Sequence, residues 1–97
     1  MAEVRLTPAA YFEYVEALAW YEARSEKAAQ RFMAAFDTAI TRISEQPELY
    51  ARCDDHHRFF KLRRYPYSVI YRVRNGEVQV VAVAHGRRAP GFWRGRA

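Results

Sequence analysis

Midway along the chain the hydrophobic period changes from that of a helix to that of a strand. Few folds accommodate such a switch in 97 residues. From Glu26 to about Gln46, the residues Ala29, Phe32, Met33, Phe36, Ile40 and Ile43 recur at helical spacing. They form the apolar stripe of one long helix, which Pro47 brings to an end. From Arg58 onward the pattern is extended: Arg58 to Arg63, Tyr67 to Arg74 and Val78 to Ala84 each have strand character. Pro66 divides the first two segments, and Asn75-Gly76 divides the second and third. Asn-Gly between strand patterns predicts a tight hairpin, because both turn positions need positive φ.

The residues ahead of the long helix complete the order. Glu3 to Leu6 alternates as a short first strand, and Thr7-Pro8 supplies a capping hydroxyl and a proline suited to the first helical turn. From Ala9 to about Ala23, Tyr11, Val15, Leu18 and Glu22 mark the spacing of a first helix, and Ser25 caps the second. The connection is so short that the two helices must form an antiparallel hairpin. Glu48 to His57 is polar and irregular, a loop. The expected architecture is α+β, a single domain over residues 1–97 in the order β-α-α-β-β-β. The helical hairpin packs on one face of an antiparallel sheet, and the first strand joins at an edge or beside the last. In the strand Tyr67 to Arg74, the odd positions are apolar or aromatic, while Ser68, Arg72 and Arg74 share the other side with Ile70. One face is therefore expected on the helices and the other partly exposed and basic.

Charge divides as sharply as period. Residues 1–48 carry five basic and eight acidic side chains, whereas residues 49–97 carry eleven basic and three acidic. The last dozen residues before the terminal alanine, His85 to Arg96, hold four arginines, Phe92 and Trp93, with no acid. A cationic, aromatic tail leaving a strand is a surface suited to an anionic partner. No apolar run approaches a membrane span, and the N-terminus lacks the apolar segment of a secretory signal, so a cytoplasmic location is expected. The lone Cys53 cannot form an internal disulfide. Cys53-Asp54-Asp55-His56-His57 has metal-ligand residue types, but adjacent residues cannot all converge on one ion. A polar surface loop is expected there, with no metal and no cofactor.

Several segments together resemble the ParE/RelE superfamily of toxins from type II toxin–antitoxin systems, in particular its ParE-like plasmid-stabilisation branch. They are Leu18-Ala19-Trp20-Tyr21-Glu22, Ala29 with Phe32, and Ile43 followed by Pro47. Arg63-Arg64-Tyr65-Pro66-Tyr67 and Ile70-Tyr71-Arg72-Val73 come next. Val83-Ala84-His85-Gly86-Arg87-Arg88, with Pro90, Trp93 and Arg96, complete the set. The resemblance implies the same element order. It also implies a toxin neutralised by a cognate antitoxin whose acidic or amphipathic segment folds onto it, as a toxin–antitoxin hetero-oligomer. Within the superfamily, ParE-like members inhibit DNA gyrase by binding, and RelE-like members cut mRNA on the ribosome.

The residues favour binding over catalysis. Cleavage through a 2′-hydroxyl needs proton donors and acceptors beside cations. His85, Arg87, Arg63 and Tyr71 are the set a nuclease would use. RelE-like enzymes, however, usually carry a tyrosine in the C-terminal segment, and here no tyrosine follows Tyr71; Phe92 and Trp93 stand in the tail. No catalytic residue is therefore assigned. The expected contact surface for target or antitoxin comprises Arg58, Lys61, Arg63, Arg64, Arg72, His85, Arg87, Arg88, Trp93 and Arg94. Four of these carry a second reading: His85 as a structural residue holding the turn into Gly86, Arg87 and Arg88 as a solvated pair, and Trp93 as core folded back onto the sheet.

Overall fold

The computed structural model describes residues 1–96. The first strand β1 (Val4–Leu6) leads into helix α1 (Pro8–Glu22) and then helix α2 (Glu26–Glu45). Strands β2 (Arg58–Lys61), β3 (Tyr67–Arg74) and β4 (Glu77–His85) follow. The caps are those the sequence predicts. Thr7 accepts from the Ala10 N–H at 3.1 Å with Pro8 at the first helical position, and Ser25 accepts from the Ala28 N–H at 2.9 Å.

The sheet runs β1-β4-β3-β2. β2, β3 and β4 are antiparallel, and Asn75 and Gly76 turn between the last two with φ of 53° and 76°. β1 takes the edge beside β4, as expected, but runs parallel to it, so the sheet is mixed. The parallel sense follows from topology. The hairpin of two helices returns the chain to its starting end, and β2–β3–β4 then reverses direction twice. A bulge lies where Ile70 opposes Ala82 and Tyr71 opposes Val80, leaving Val81 without a partner on β3. The bulge inverts the alternation of β4: Val78 and Val80 join the helix-side core before it, and Val83 joins that core after it.

Helix-side packing centres on Phe32, Phe36, Ile43, Leu62, Val69, Tyr71 and, from β4, Val78, Val80 and Val83. The α2 stripe is placed as predicted except for Met33, which is exposed. α1 is rotated from expectation. Ala10 and Ala17 are buried with Tyr14, Leu18 and Tyr21 beside them, whereas Tyr11 and Val15 lie outside. Small residues at the contact let this helix approach the sheet closely, and its rings fill the space on either side.

The opposite sheet face also differs from expectation. It is covered rather than open: Ile70, Val81, Ala82 and Ala84 form a second core with Trp93, flanked by Cys53, Phe59 and Phe92. β2 stops at Lys61, two residues early, because its ammonium turns back to the carbonyls of Leu62 and Tyr65 and Arg64 adopts φ of 69°.

Candidate functional site

β4 delivers His85 to the end of the sheet where β2 turns into β3. Gly86 donates its N–H to the Pro66 carbonyl at 2.8 Å, so the start of the tail lies against the Arg63–Pro66 turn. The Arg87 N–H donates to His85 Nδ1 at 3.0 Å, which requires a lone pair on that nitrogen. The imidazole stands edge-on to Tyr67, with ring centroids 5.1 Å apart. His85 therefore does hold the turn, while its edge remains part-exposed at the surface. Arg87 rims a hollow formed by Trp20, Tyr21, Pro66, Tyr67 and His85.

From Arg87 the tail folds back over the outer sheet face. Trp93 is 8% exposed there, packed on Ile70, Val81, Ala82 and Ala84. Its place in the expected contact surface is corrected: apolar burial has made it core, and only its alternative reading holds. The guanidinium groups of Arg88 and Arg96 lie over the Phe92 ring, at 3.8 and 5.0 Å from its centroid. Gly91 is required in this path. Its φ is 78°, and a β-carbon would stand 2.8 Å from the Arg94 guanidinium.

The anchor is Glu13, a residue that sequence reasoning left unassigned. It projects from α1 with only 10% of its side chain exposed. Its Oε1 accepts from the Val83 N–H at 3.0 Å and from Arg96 Nη1 at 3.0 Å, and its Oε2 accepts from Arg96 Nη2 at 3.2 Å. Arg96 Nη1 also donates to the Val81 carbonyl at 2.9 Å. The reason is geometric: β1 ends at Leu6, so beyond Val80 the edge of β4 has no strand partner. Glu13 and Arg96 satisfy the backbone groups of that edge. No local spacing signals such a pairing across 83 residues.

The remaining predicted residues divide between the two ends of the sheet. Arg63, Arg64, His85 and Arg87 gather at the β2–β3 turn, and among the described residues the three guanidinium groups there have no ion-pair partner. Arg88 lies 3.7 Å from Glu13, and Arg94 lies 3.6 Å from Asp54, both on the tail itself. Lys61 is occupied by backbone carbonyls. Arg58 and Arg72 lie at the far end, bonded to the Tyr50 carbonyl and to Gln79.

Tyr71 is corrected as a nuclease candidate. It is fully buried on the helix side, and its hydroxyl donates to the Pro47 carbonyl at 2.6 Å. Burial pushes its pKa up to about 12, with Arg58 opposing the shift. It can neither reach a phosphate beside Arg87 nor yield a proton there.

The Cys53–His57 loop is less polar a surface than expected, because His57 is buried. Asp54 organises it, accepting from the His56 and His57 N–H groups at 2.8 Å each and from His57 Nδ1 at 2.9 Å. Burial works to raise the Asp54 pKa, but these bonds win and hold it at about 2, against an ordinary 3.8. The stabilisation it contributes is therefore fully present above pH about 3.8 and is lost as pH falls toward about 2. Urea titrations between pH 2 and 6 should show Asp54→Asn converging with the parent chain at the acid end. A constant gap between the two would mean the carboxylate charge plays no part.

Comparison with known proteins decides the family. The family described as "ParE toxin of type II toxin-antitoxin system, parDE" matches residues 4–90, most of the chain. The chain belongs to the ParE toxin family. It is 32% identical over 76 residues to Toxin ParE2 of Mycobacterium tuberculosis, in both strain CDC 1551 / Oshkosh and strain ATCC 25618 / H37Rv. That similarity covers 77% of this chain and 72% of ParE2. In fold it is similar to a solved chain of the chromosomal ParDE TA system from P. aeruginosa. The TM-score is 0.64 at 16% identity, over 88% of this chain and 96% of the other. As a ParE toxin of a type II system, it keeps its free cations within the family match. The Trp93 and Arg96 anchor lies beyond residue 90. No helix among the described residues is long and apolar enough to cross a membrane.

Proposed function

We propose that this ParE toxin inhibits DNA gyrase by binding it through the sheet end that carries Arg63, Arg64 and Arg87, and that a cognate antitoxin neutralises it. One observation carries the reading. These guanidinium groups are exposed and spend no charge on the rest of the described chain, and Arg87 lines the hollow that the half-exposed Trp20 also lines. Arginine and tryptophan are the residues most used as interface anchors. The family supports the toxin role, and the name of the P. aeruginosa structure pairs a ParE with a ParD partner. An amphipathic antitoxin segment would find apolar ground on the helical hairpin, where Tyr11, Phe12, Val15 and Met33 are all exposed.

A gyrase supercoiling assay with the purified chain tests the target. Micromolar toxin should block supercoiling, and Arg87→Ala with Arg63→Ala should restore it while leaving the fold intact by circular dichroism. Full supercoiling in the presence of the unaltered toxin, with codon-specific cuts in message on induction, would instead identify the ribosome as the target.

A further inference from the structure

The opposite end of the sheet, where β2 begins and β3 ends, holds a pocket of about 190 Å³. Arg52, Arg58, Arg72, His56 and His57 contribute to its walls. Arg52 and Arg58 form an isolated antiparallel bridge, so two arginines stand directly opposite each other. Like charges in that relation destabilise a strand pair unless something negative lies between them. Among the described residues none of the three arginines is ion-paired with a carboxylate. Their recorded bonds go to neutral groups: Arg58 to the Tyr50 carbonyl at 2.8 Å, and Arg72 Nε to Gln79 at 2.6 Å.

Two buried polar atoms of these residues, His57 Nε2 and Arg72 Nη2, have no hydrogen-bond partner among the described residues. His57 is only 8% exposed, and buried polar atoms are rarely left unmatched. Asp54 fixes its ring, with Nδ1 at 2.9 and 3.1 Å from the two carboxylate oxygens, so Nε2 is its only free polar atom. Burial, and next the charge of Arg74, lower the pKa of Arg72, as expected of a cation short of a counter-ion. Two exposed acids, Glu48 and Asp55, also line the pocket, leaving the three arginines in excess before either histidine is counted.

We propose that this corner binds a single phosphate-type oxyanion, with Arg52, Arg58 and Arg72 as guanidinium donors and the buried His57 Nε2 accepting from the hydroxyl of a monohydrogen phosphate. Inorganic phosphate and the terminal phosphate of a nucleotide share this chemistry. The site stands apart from the Arg87 end, so the proposal does not rest on the gyrase reading.

Isothermal titration of the full chain with inorganic phosphate, against chloride buffer of equal ionic strength, provides the test. One saturable site is expected. Arg52→Gln, at an exposed position, should weaken binding by roughly tenfold or more, in keeping with loss of a charge-assisted bond. Arg31→Gln removes the same charge from an exposed position on α2 and should change nothing. Adenosine monophosphate binding as tightly as phosphate would mark the oxyanion alone as the ligand, and tighter binding would mark a nucleotide; both uphold the site. Absence of saturable heat, or equal weakening by Arg31→Gln, overturns it.

Discussion

Phe32→Ala should destabilise the chain by about 3–5 kcal/mol, a large share of what a domain of this size possesses. Phe32 is fully buried at the junction of both helices with the β2–β3 turn and β3. Its ring stacks on Tyr21 at 4.8 Å and meets Tyr14, Tyr65 and Tyr67 at 5.9, 5.4 and 5.7 Å. Truncation leaves a void walled by stiff aromatic rings, which cannot collapse to fill it as aliphatic chains partly can. Phe12→Ala removes an equal ring from a position 62% exposed and should stay within about 0.5 kcal/mol. Urea unfolding of the two variants checks the pair. Equal losses would mean that α1 and α2 meet through other faces than those described.

The contrast between α1 and α2 shows how far the sequence reaches. α2 places charged residues opposite its apolar stripe, so its inward face is fixed by the pattern and only Met33 departs from it. α1 carries apolar residues on every side, and no periodic reading could choose its phase. Small Ala10 and Ala17 chose it, through their fit to the sheet. The hairpin at Asn75-Gly76 was legible because positive φ is a local demand. The bulge at Val81 was not, since it is a shift in the pairing of β3 with β4 that no local residue signals. The same distinction governs the site. Clustered arginines are visible in a sequence, but which of them stay free is decided by distant carboxylates and carbonyls. Trp93 illustrates this: its neighbours in the chain are cationic, whereas its neighbours in space are Ile70, Val81, Ala82 and Ala84.

Glu13→Leu should cost about 2–4 kcal/mol and release the tail. The substitution leaves the Val83 N–H without its acceptor and strips Arg96 of its carboxylate, with both groups at a largely covered site. Arg96 keeps a quarter of its side chain in solvent, which holds the loss below that of a fully buried pair. Arg96→Met should cost less by itself, because Glu13 still accepts from Val83 and has Arg88 nearby. The double variant should then be more stable than the sum of the single losses predicts, by about 1–3 kcal/mol. In a Trp20→Phe background Trp93 is the sole tryptophan, and its emission should shift to the red in Glu13→Leu as the indole leaves Ile70 and Val81. Trypsin should cut after Arg87 and Arg88 sooner in that variant than in the parent chain. Additive losses with unchanged emission would show that the tail is held by its aromatic packing alone. Coupled losses with a red shift would show that a single carboxylate on the first helix keeps the outer face of the sheet closed.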